Sequence, residues 1–167
     1  AVCAGSCGPG NLHLINGLYD ANRSMAPVLA IAAHIPSSEV GTGYFQETHP
    51  DRLFVECSHY CELISSARQM PRVLHIAMQH AVSKQGVAVI ALSGDVAMEL
   101  VQDESRSHGM TLICPAVRPS EPDLQTLANM LNSAEKVTLL CGNGCAGAHD
   151  ELIQLGERLK SPMVHSL

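Results

Sequence analysis

The stretch of sequence that decides the fold is AVCAGSCGPGNLHLINGLYDAN, residues 1–22. It opens on an apolar run that predicts a buried strand, and it closes on apolar residues at helical spacing. In the loop between them, Gly8 and Gly10 allow a sharp turn and a close approach by a ligand, while Pro9 stiffens the turn. Asn11 is expected to cap the helix that follows it. The stretch therefore predicts a strand, a glycine loop and a helix.

Further apolar runs predict more strands of the same kind. Residues 27–33 and 87–92 are apolar throughout, which is typical of strands buried on both faces, and residues 60–64 predict a shorter strand. Residues 71–84 carry their apolar side chains on one face, which predicts an amphipathic helix, and residues 51–57 predict a short one. Strands that alternate with helices indicate an α/β fold, with parallel sheets flanked by helices.

A long polar connection over residues 36–50 is the most conspicuous loop. It places Tyr44 and Phe45 beside Gln46 and Glu47, in a chain with only two phenylalanines and three tyrosines. Loops of this length in compact domains tend to carry function or to lack structure. Two interpretations are open: the loop lines a functional site, or Phe45 pins it to the core.

The second half of the chain repeats the strand and helix pattern after a break. Charged residues, serines and prolines over residues 101–122 indicate a domain boundary. Beyond it we predict a helix around residues 124–131, a strand over residues 136–141, a glycine turn with a helix after it, and a strand from residue 161. Gly142, Gly144 and Gly147 in that turn match the GxGxxG dinucleotide fingerprint, in which glycines let a pyrophosphate approach backbone N–H groups at a helix N-terminus.

Composition excludes several classes of function. Among the 167 residues, 46% are hydrophobic and 16% are charged, which is typical of a globular protein. The net charge of −6 and the lack of a basic cluster argue against a nucleic-acid partner. No apolar run reaches the roughly 18 residues that indicate a transmembrane helix.

The cysteines and histidines form no recognisable metal site. Seven cysteines argue against a disulfide framework and favour a reducing cytoplasm. Three pairs share one spacing, namely Cys3 with Cys7, Cys57 with Cys61, and Cys141 with Cys145. Structural zinc sites usually have tighter spacing, so we interpret these residues as small buried hydrophobes. The nine histidines lack HExxH spacing.

Taken in order, the motifs make the chain resemble the bacterial pyruvate oxidases that use thiamine diphosphate and FAD, in particular the quinone-linked pyruvate dehydrogenases. The resemblance covers essentially the whole chain. The matching stretches are residues 1–17, 34–39, 43–50, 57–63 and 141–149. Acetolactate synthases share the Gly-Pro-Gly loop and Phe-Gln-Glu, whereas residues 34–39 and 57–63 favour the oxidase.

The resemblance implies two domains and a set of site residues. Residues 1–115 resemble the C-terminal part of a pyrimidine-binding domain, and residues 116–167 resemble the start of a Rossmann-like central domain that binds FAD. The implied site residues are Gly8, Pro9, Gly10 and Asn11 for thiamine diphosphate, Phe45 and Gln46 as the active-site loop, and Gly142, Gly144 and Ala148 for FAD.

The family plan also implies what these residues lack. The catalytic glutamate and the domain that holds Mg²⁺ lie outside the matched segment, so we expect an internal fragment, with truncated domains, that binds no cofactor and is inactive by itself. The whole enzyme is expected to decarboxylate pyruvate oxidatively and to pass electrons to quinone. It is expected to form a homotetramer in the cytoplasm, on the inner membrane surface, with membrane contact only through segments outside this chain.

Three alternatives stay open at this point. The first is a fragment of an acetolactate synthase, another thiamine-diphosphate enzyme. The second is a stand-alone nucleotide-binding module that uses the second glycine turn to hold NAD or FAD. The third is a zinc-stabilised structural domain built on the three cysteine pairs.

Overall fold

The computed structural model describes residues 1–100 and 111–166. The chain divides into two compact units, Ala1–Pro115 and Ala116–Leu167. The boundary predicted over residues 101–122 lies partly outside the described residues. The identity of the two units as a pyrimidine-binding and a flavin-binding domain stays a prediction.

The first unit alternates strands and helices, as expected. Its strands are β1 (Val2–Gly5), β2 (Val28–His34), β3 (Tyr60–Ile64) and β4 (Val87–Ser93). Its helices are α1 (Pro9–Leu12), α2 (Leu14–Arg23), α3 (Pro50–Leu53), α4 (Met70–Lys84) and α5 (Gly94–Ala97).

All four strands run parallel in the order β1-β2-β4-β3, which confirms the predicted α/β class. Alternate residues of the central strands serve two separate cores. Leu29 of β2 and Ile90 of β4 pack with α4 on one face of the sheet. Ala30 of β2 and Val89 of β4 pack on the other face with Leu18 of α2 and with the segment after α3. Because both faces are covered, these strands read as continuous apolar runs.

Several predicted boundaries were wrong by a few residues. The first helix begins at Pro9, because Pro at the first helical position needs no N–H partner there, and a break at His13 separates it from α2. Helix α3 ends at Leu53 instead of residue 57, and the next segment turns so that Phe54 and Cys57 are fully buried. The buried contacts in this segment outweigh the local helical pattern.

The second unit contains helix α6 (Glu121–Ser133), strand β5 (Leu139–Cys141), helix α7 (His149–Leu159) and strand β6 (Met163–His165). The two strands pair in parallel. The Ser120 side chain accepts a hydrogen bond from the Asp123 N–H and so caps α6. Within the described part of this unit only Gly156 is buried, and α6 exposes Leu124, Leu127 and Met130.

Candidate functional site

The glycine loop after β1 begins helix α1 in an unusual way. Gly8 stands at the helix N-cap with φ of 64°, in the left-handed region that favours glycine. A side chain at this position would come within 2.7 Å of Gln46 Cβ and 2.8 Å of Gln46 O. The missing side chain of Gly8 therefore makes room for the backbone of Gln46, and the close approach expected for a ligand is made by the protein itself.

Asn11 does not cap a helix, contrary to the prediction. It lies inside α1 and is completely buried, and its Nδ2 donates to Ala33 O at the end of β2 over 2.6 Å. Its Oδ1 has no hydrogen-bond partner among the described residues. Asn11 thus joins α1 to β2. Of the four residues predicted to contact thiamine diphosphate, Pro9 alone is exposed, and the predicted contacts stay predictions.

A four-residue turn, Tyr44 to Glu47, carries the second predicted group. The Glu47 N–H donates to Tyr44 O over 2.9 Å and closes the turn. Gln46 occupies its third position with φ of 63°, in the left-handed region where residues other than glycine are strained. Phe45 is 80% exposed, so it does not pin the loop to the core.

The carboxylate of Glu47 holds the residues before this turn. Its Oε1 accepts a hydrogen bond from the Gly41 N–H, and its Oε2 accepts one from the Gly43 N–H over 2.8 Å. The hydrogen bond from Gly41, followed by that from Gly43, lowers the pKa of Glu47. Sequence reasoning placed Glu47 in the loop without a role, and its position four to six residues after two glycines was the available signal.

The start of the long loop is tied to the strand at the centre of the sheet. The Asp95 carboxylate, just after β4, accepts hydrogen bonds from the Ser37 hydroxyl and, over 2.9 Å, from the Ser37 N–H. These bonds lower the pKa of Asp95. The buried His34 ends β2 nearby in sequence, and desolvation lowers its pKa. Asp95 was missed because its partner lies 58 residues away.

The structure thus brings the glycine loop, residues 8–11, next to the predicted active-site loop with Phe45 and Gln46. The Cys7 thiol donates to Gln46 Oε1 over 3.4 Å, next to the contact between Gly8 and Gln46. Both loops follow the carboxyl ends of parallel strands, where α/β proteins generally bind ligands. With its Oε1 engaged by Cys7, the Gln46 amide offers its N–H groups as donors.

A neighbouring pocket of about 390 Å³ lies beside these loops. Leu12 and Leu53 supply apolar walls, and Thr48, His49 and Arg52 supply polar groups. None of the predicted site residues lines it. The pocket extends the candidate site away from the glycine loop toward α3.

The second glycine turn lies in the other unit. It runs from the end of β5 through a short 3₁₀ helix, Asn143–Cys145, to α7. Gly147 has φ of 88°, and a side chain at Gly144 or Gly147 would meet nothing within 4 Å. This open backbone ahead of an eleven-residue helix fits the approach of a phosphate group. Contact between FAD and Gly142, Gly144 or Ala148 stays a prediction.

All seven cysteines are free thiols. The Cys57 thiol donates to Phe54 O and the Cys61 thiol to Pro50 O, and burial raises the pKa of Cys61 to about 12. Within the described ranges, no group of three or more His, Cys, Asp or Glu side chains is placed to hold a metal ion. The Cys57 and Cys61 thiols act as packed, protonated groups.

Two known domain families match parts of the chain. Residues 1–53 match the thiamine pyrophosphate enzyme N-terminal TPP binding domain, and residues 124–167 match the thiamine pyrophosphate enzyme central domain. The chain carries segments of two domains of thiamine pyrophosphate enzymes. This assigns the glycine loop of α1 to the N-terminal domain and the second glycine turn to the central domain of that family.

Several curated proteins are similar to nearly the whole chain. An uncharacterized 42.6 kDa protein in the isoamylase 3′ region of Pseudomonas amyloderamosa is 61% identical, over 99% of this chain and 42% of its own length. The putative thiamine pyrophosphate-containing protein YdaP of Bacillus subtilis is 37% identical, over 99% of this chain and 29% of its own length. The pyruvate oxidase of Lactiplantibacillus plantarum is 32% identical, over 98% of this chain and 27% of its own length. The chain therefore spans less than half the length of these relatives.

In the part of the chain that the structure describes, no helix is long and apolar enough to cross a membrane.

Proposed function

We propose that this chain belongs to an enzyme that decarboxylates pyruvate on thiamine diphosphate and passes the electrons to FAD and then to quinone. The single observation that carries the proposal is the contact of Gly8 with Gln46, which joins the glycine loop and the Phe-Gln-Glu loop at the carboxyl ends of parallel strands. The match of residues 1–53 to a TPP binding domain supports the cofactor. The similarity to a pyruvate oxidase supports the substrate.

The residues of the first unit fit thiamine diphosphate as one wall of a site. Bound thiamine diphosphate supplies the carbon nucleophile and electron sink that decarboxylation of a 2-oxo acid requires. The exposed Pro9 ring offers an apolar surface to an aminopyrimidine ring. Gly8 and Asn11 act behind that surface, because Gly8 accommodates Gln46 and Asn11 fixes α1 to β2.

Phe45 and Gln46 would act on the substrate side of that wall. The Gln46 N–H groups, left free by the Cys7 hydrogen bond, donate to a carboxylate or carbonyl oxygen of pyruvate. The exposed Phe45 ring covers the reacting groups and excludes water from them. In the second unit, the open backbone at Gly144 and Gly147 would receive the pyrophosphate of FAD.

The test uses the whole enzyme to which this chain belongs. We expect pyruvate-dependent ferricyanide reduction, and we expect Gln46→Ala to lower kcat/KM for pyruvate by roughly tenfold or more, because a hydrogen bond to a charged substrate is lost. Phe45→Ala should lower activity without changing thermal stability, since this side chain is 80% exposed. Val55→Ala, another exposed apolar residue outside both loops, is the matched control and should leave activity unchanged.

A second candidate is acetolactate synthase chemistry, which shares the Gly-Pro-Gly and Phe-Gln-Glu stretches. Formation of acetolactate from pyruvate, with no reduction of ferricyanide, would decide for it. A stand-alone nucleotide-binding module would instead show flavin or nicotinamide binding to the 167-residue chain and no dependence on thiamine diphosphate.

A further inference from the structure

We propose that Glu47 is a positioning residue whose carboxylate holds the turn from Tyr44 to Glu47 in the conformation that presents Phe45 and Gln46 to the site. What Phe45 and Gln46 then contact rests on the proposed function. That Glu47 restrains the loop is inferred from the hydrogen bonds and backbone angles of the loop alone.

Glu47 makes three of the hydrogen bonds of this loop. Its two oxygens accept from the N–H groups of Gly41 and Gly43, and its own N–H closes the turn on Tyr44 O. Gly41 and Gly43 have φ of 88° and 77°, and a side chain at either would meet nothing within 4 Å. Between them, the Thr42 N–H and hydroxyl donate to Glu39 O, and the Glu47 carboxylate adds a restraint on the glycine to either side.

The restraint matters because the conformation it supports is strained. Gln46 has φ of 63°, which residues other than glycine rarely adopt unless the surrounding structure enforces it. Gly8 leaves space on one side of Gln46, but space alone does not hold a strained residue in place. The Cys7 thiol adds one hydrogen bond to the Gln46 side chain, and Glu47 ties the adjoining backbone from the other side.

A glutamate meets a requirement here that close analogues do not meet. Both N–H groups need an acceptor, and a carboxylate supplies two. Glutamine keeps the length but turns one oxygen into an NH₂ group that faces an N–H. Aspartate keeps the charge but is one methylene shorter.

The charge on Glu47 gives the proposal a readout of its own. Two histidines interact electrostatically with the Glu47 carboxylate. A charge on His49 favours its ionised form, and the negative charge of Glu47 acts to raise the pKa of His34. When the carboxylate is protonated at low pH, it loses acceptor strength toward Gly41 and Gly43. The amide protons of both glycines should therefore report its titration.

The experiment compares Glu47→Gln with Glu39→Gln, which removes the same charge from the same loop. In the whole enzyme labelled with ¹⁵N-glycine, the Gly41 and Gly43 amides should shift together as the pH falls, with a midpoint below the ordinary value of 4.5 for glutamate. Glu47→Gln should abolish both shifts, Glu47→Asp should weaken at least one, and Glu39→Gln should change neither. Glycine amides that do not respond to Glu47 would overturn the proposal.

Kinetics of the whole enzyme supply the second arm. Glu47→Gln should lower kcat for pyruvate by roughly tenfold to a hundredfold, since small misplacement of a positioned group is costly, and it should leave the thermal midpoint within the range of Glu39→Gln. Glycine shifts as expected with an unchanged kcat would overturn the positioning role. A wild-type enzyme that does not turn over pyruvate would contradict the proposed function instead, and the glycine shifts would still decide whether Glu47 holds the loop.

Discussion

At the scale of single residues, Gly8 and Asn11 organise the site from inside the protein. Gly8 allows the Gln46 backbone to lie against the start of α1, and Asn11 ties α1 to the end of β2. Both residues stand in the stretch that resembles a cofactor-binding loop, yet neither side-chain position faces open space. Their contribution to binding is therefore the shape of the loop, with Pro9 as its exposed surface.

We expect Gly8→Ala to destabilise the first unit by about 1–3 kcal/mol, the cost of a strained backbone conformation at φ of 64°. The added Cβ would also lie 2.7 Å from Gln46 Cβ, so the loop around Gln46 must shift. Urea unfolding, followed by circular dichroism, measures the change. Gly17→Ala is the matched control, because Gly17 lies in α2 with nothing within 4 Å of a new side chain.

The control should raise stability by about 0.5–1 kcal/mol or leave it unchanged, since alanine suits a helix interior better than glycine does. Equal stability of Gly8→Ala and wild type would show that the backbone of this loop is not constrained as described.

At the scale of elements, the long loop after β2 is fastened at both ends. Asp95 holds Ser37 at its start, and Gly8 and Cys7 meet Gln46 near its end. Loops that are fixed in this way can present an exposed aromatic side chain such as Phe45 without a hydrophobic anchor. The loop is thus an ordered part of the site, although its polar, glycine-containing sequence predicts no regular secondary structure there.

Asp95→Asn should free the start of this loop and increase amide hydrogen exchange at Ser37 several-fold at pH 7. The pKa of Asp95 is lowered below its ordinary value of 3.8, first by the Ser37 hydroxyl. A lowered folded-state pKa means that the stabilisation is present above 3.8 and is lost as the pH falls through the folded value. Wild-type exchange, corrected for its intrinsic pH dependence, should approach that of the variant in acid.

Asp20→Asn, on the exposed face of α2, controls for the change of charge and should leave exchange at Ser37 as in wild type. Unchanged exchange in Asp95→Asn would mean that another contact holds the loop.

At the scale of the whole molecule, the described surface of the 167-residue chain is apolar in places where a monomer is usually polar. Leu127 and Met130 of α6 are 52% and 65% exposed, and Leu140 of β5 is 76% exposed. Strands β1 and β3 form the two edges of the described sheet, and β1 exposes Val2. Such edges and patches favour pairing with another chain.

We therefore expect the purified chain to self-associate at micromolar concentration, because association covers these side chains. Light scattering should give a mass above 17.8 kDa, and Leu127→Glu should reduce it. A monodisperse monomer that binds flavin or nicotinamide tightly would instead favour the stand-alone nucleotide-binding module. Val40→Glu, in the loop of the first unit, controls for the added charge.

The sequence by itself determined the α/β class, the positions of the strands of the first unit and the order of glycine turns, because these depend on local hydrophobic patterns. It also indicated Phe45 and Gln46 as a conspicuous pair. The prediction that the first strand is buried was wrong, since β1 lies at the edge of the sheet with Val2 exposed. Only the tertiary structure decided the role of Asn11 and the end of α3, since buried contacts override local propensity there. The tertiary structure also decided three sets of contacts that hydrophobic periodicity cannot predict. They join Gly8 to Gln46, Asp95 to Ser37, and Glu47 to Gly41 and Gly43. Those contacts turn a glycine loop and a polar connection into one site.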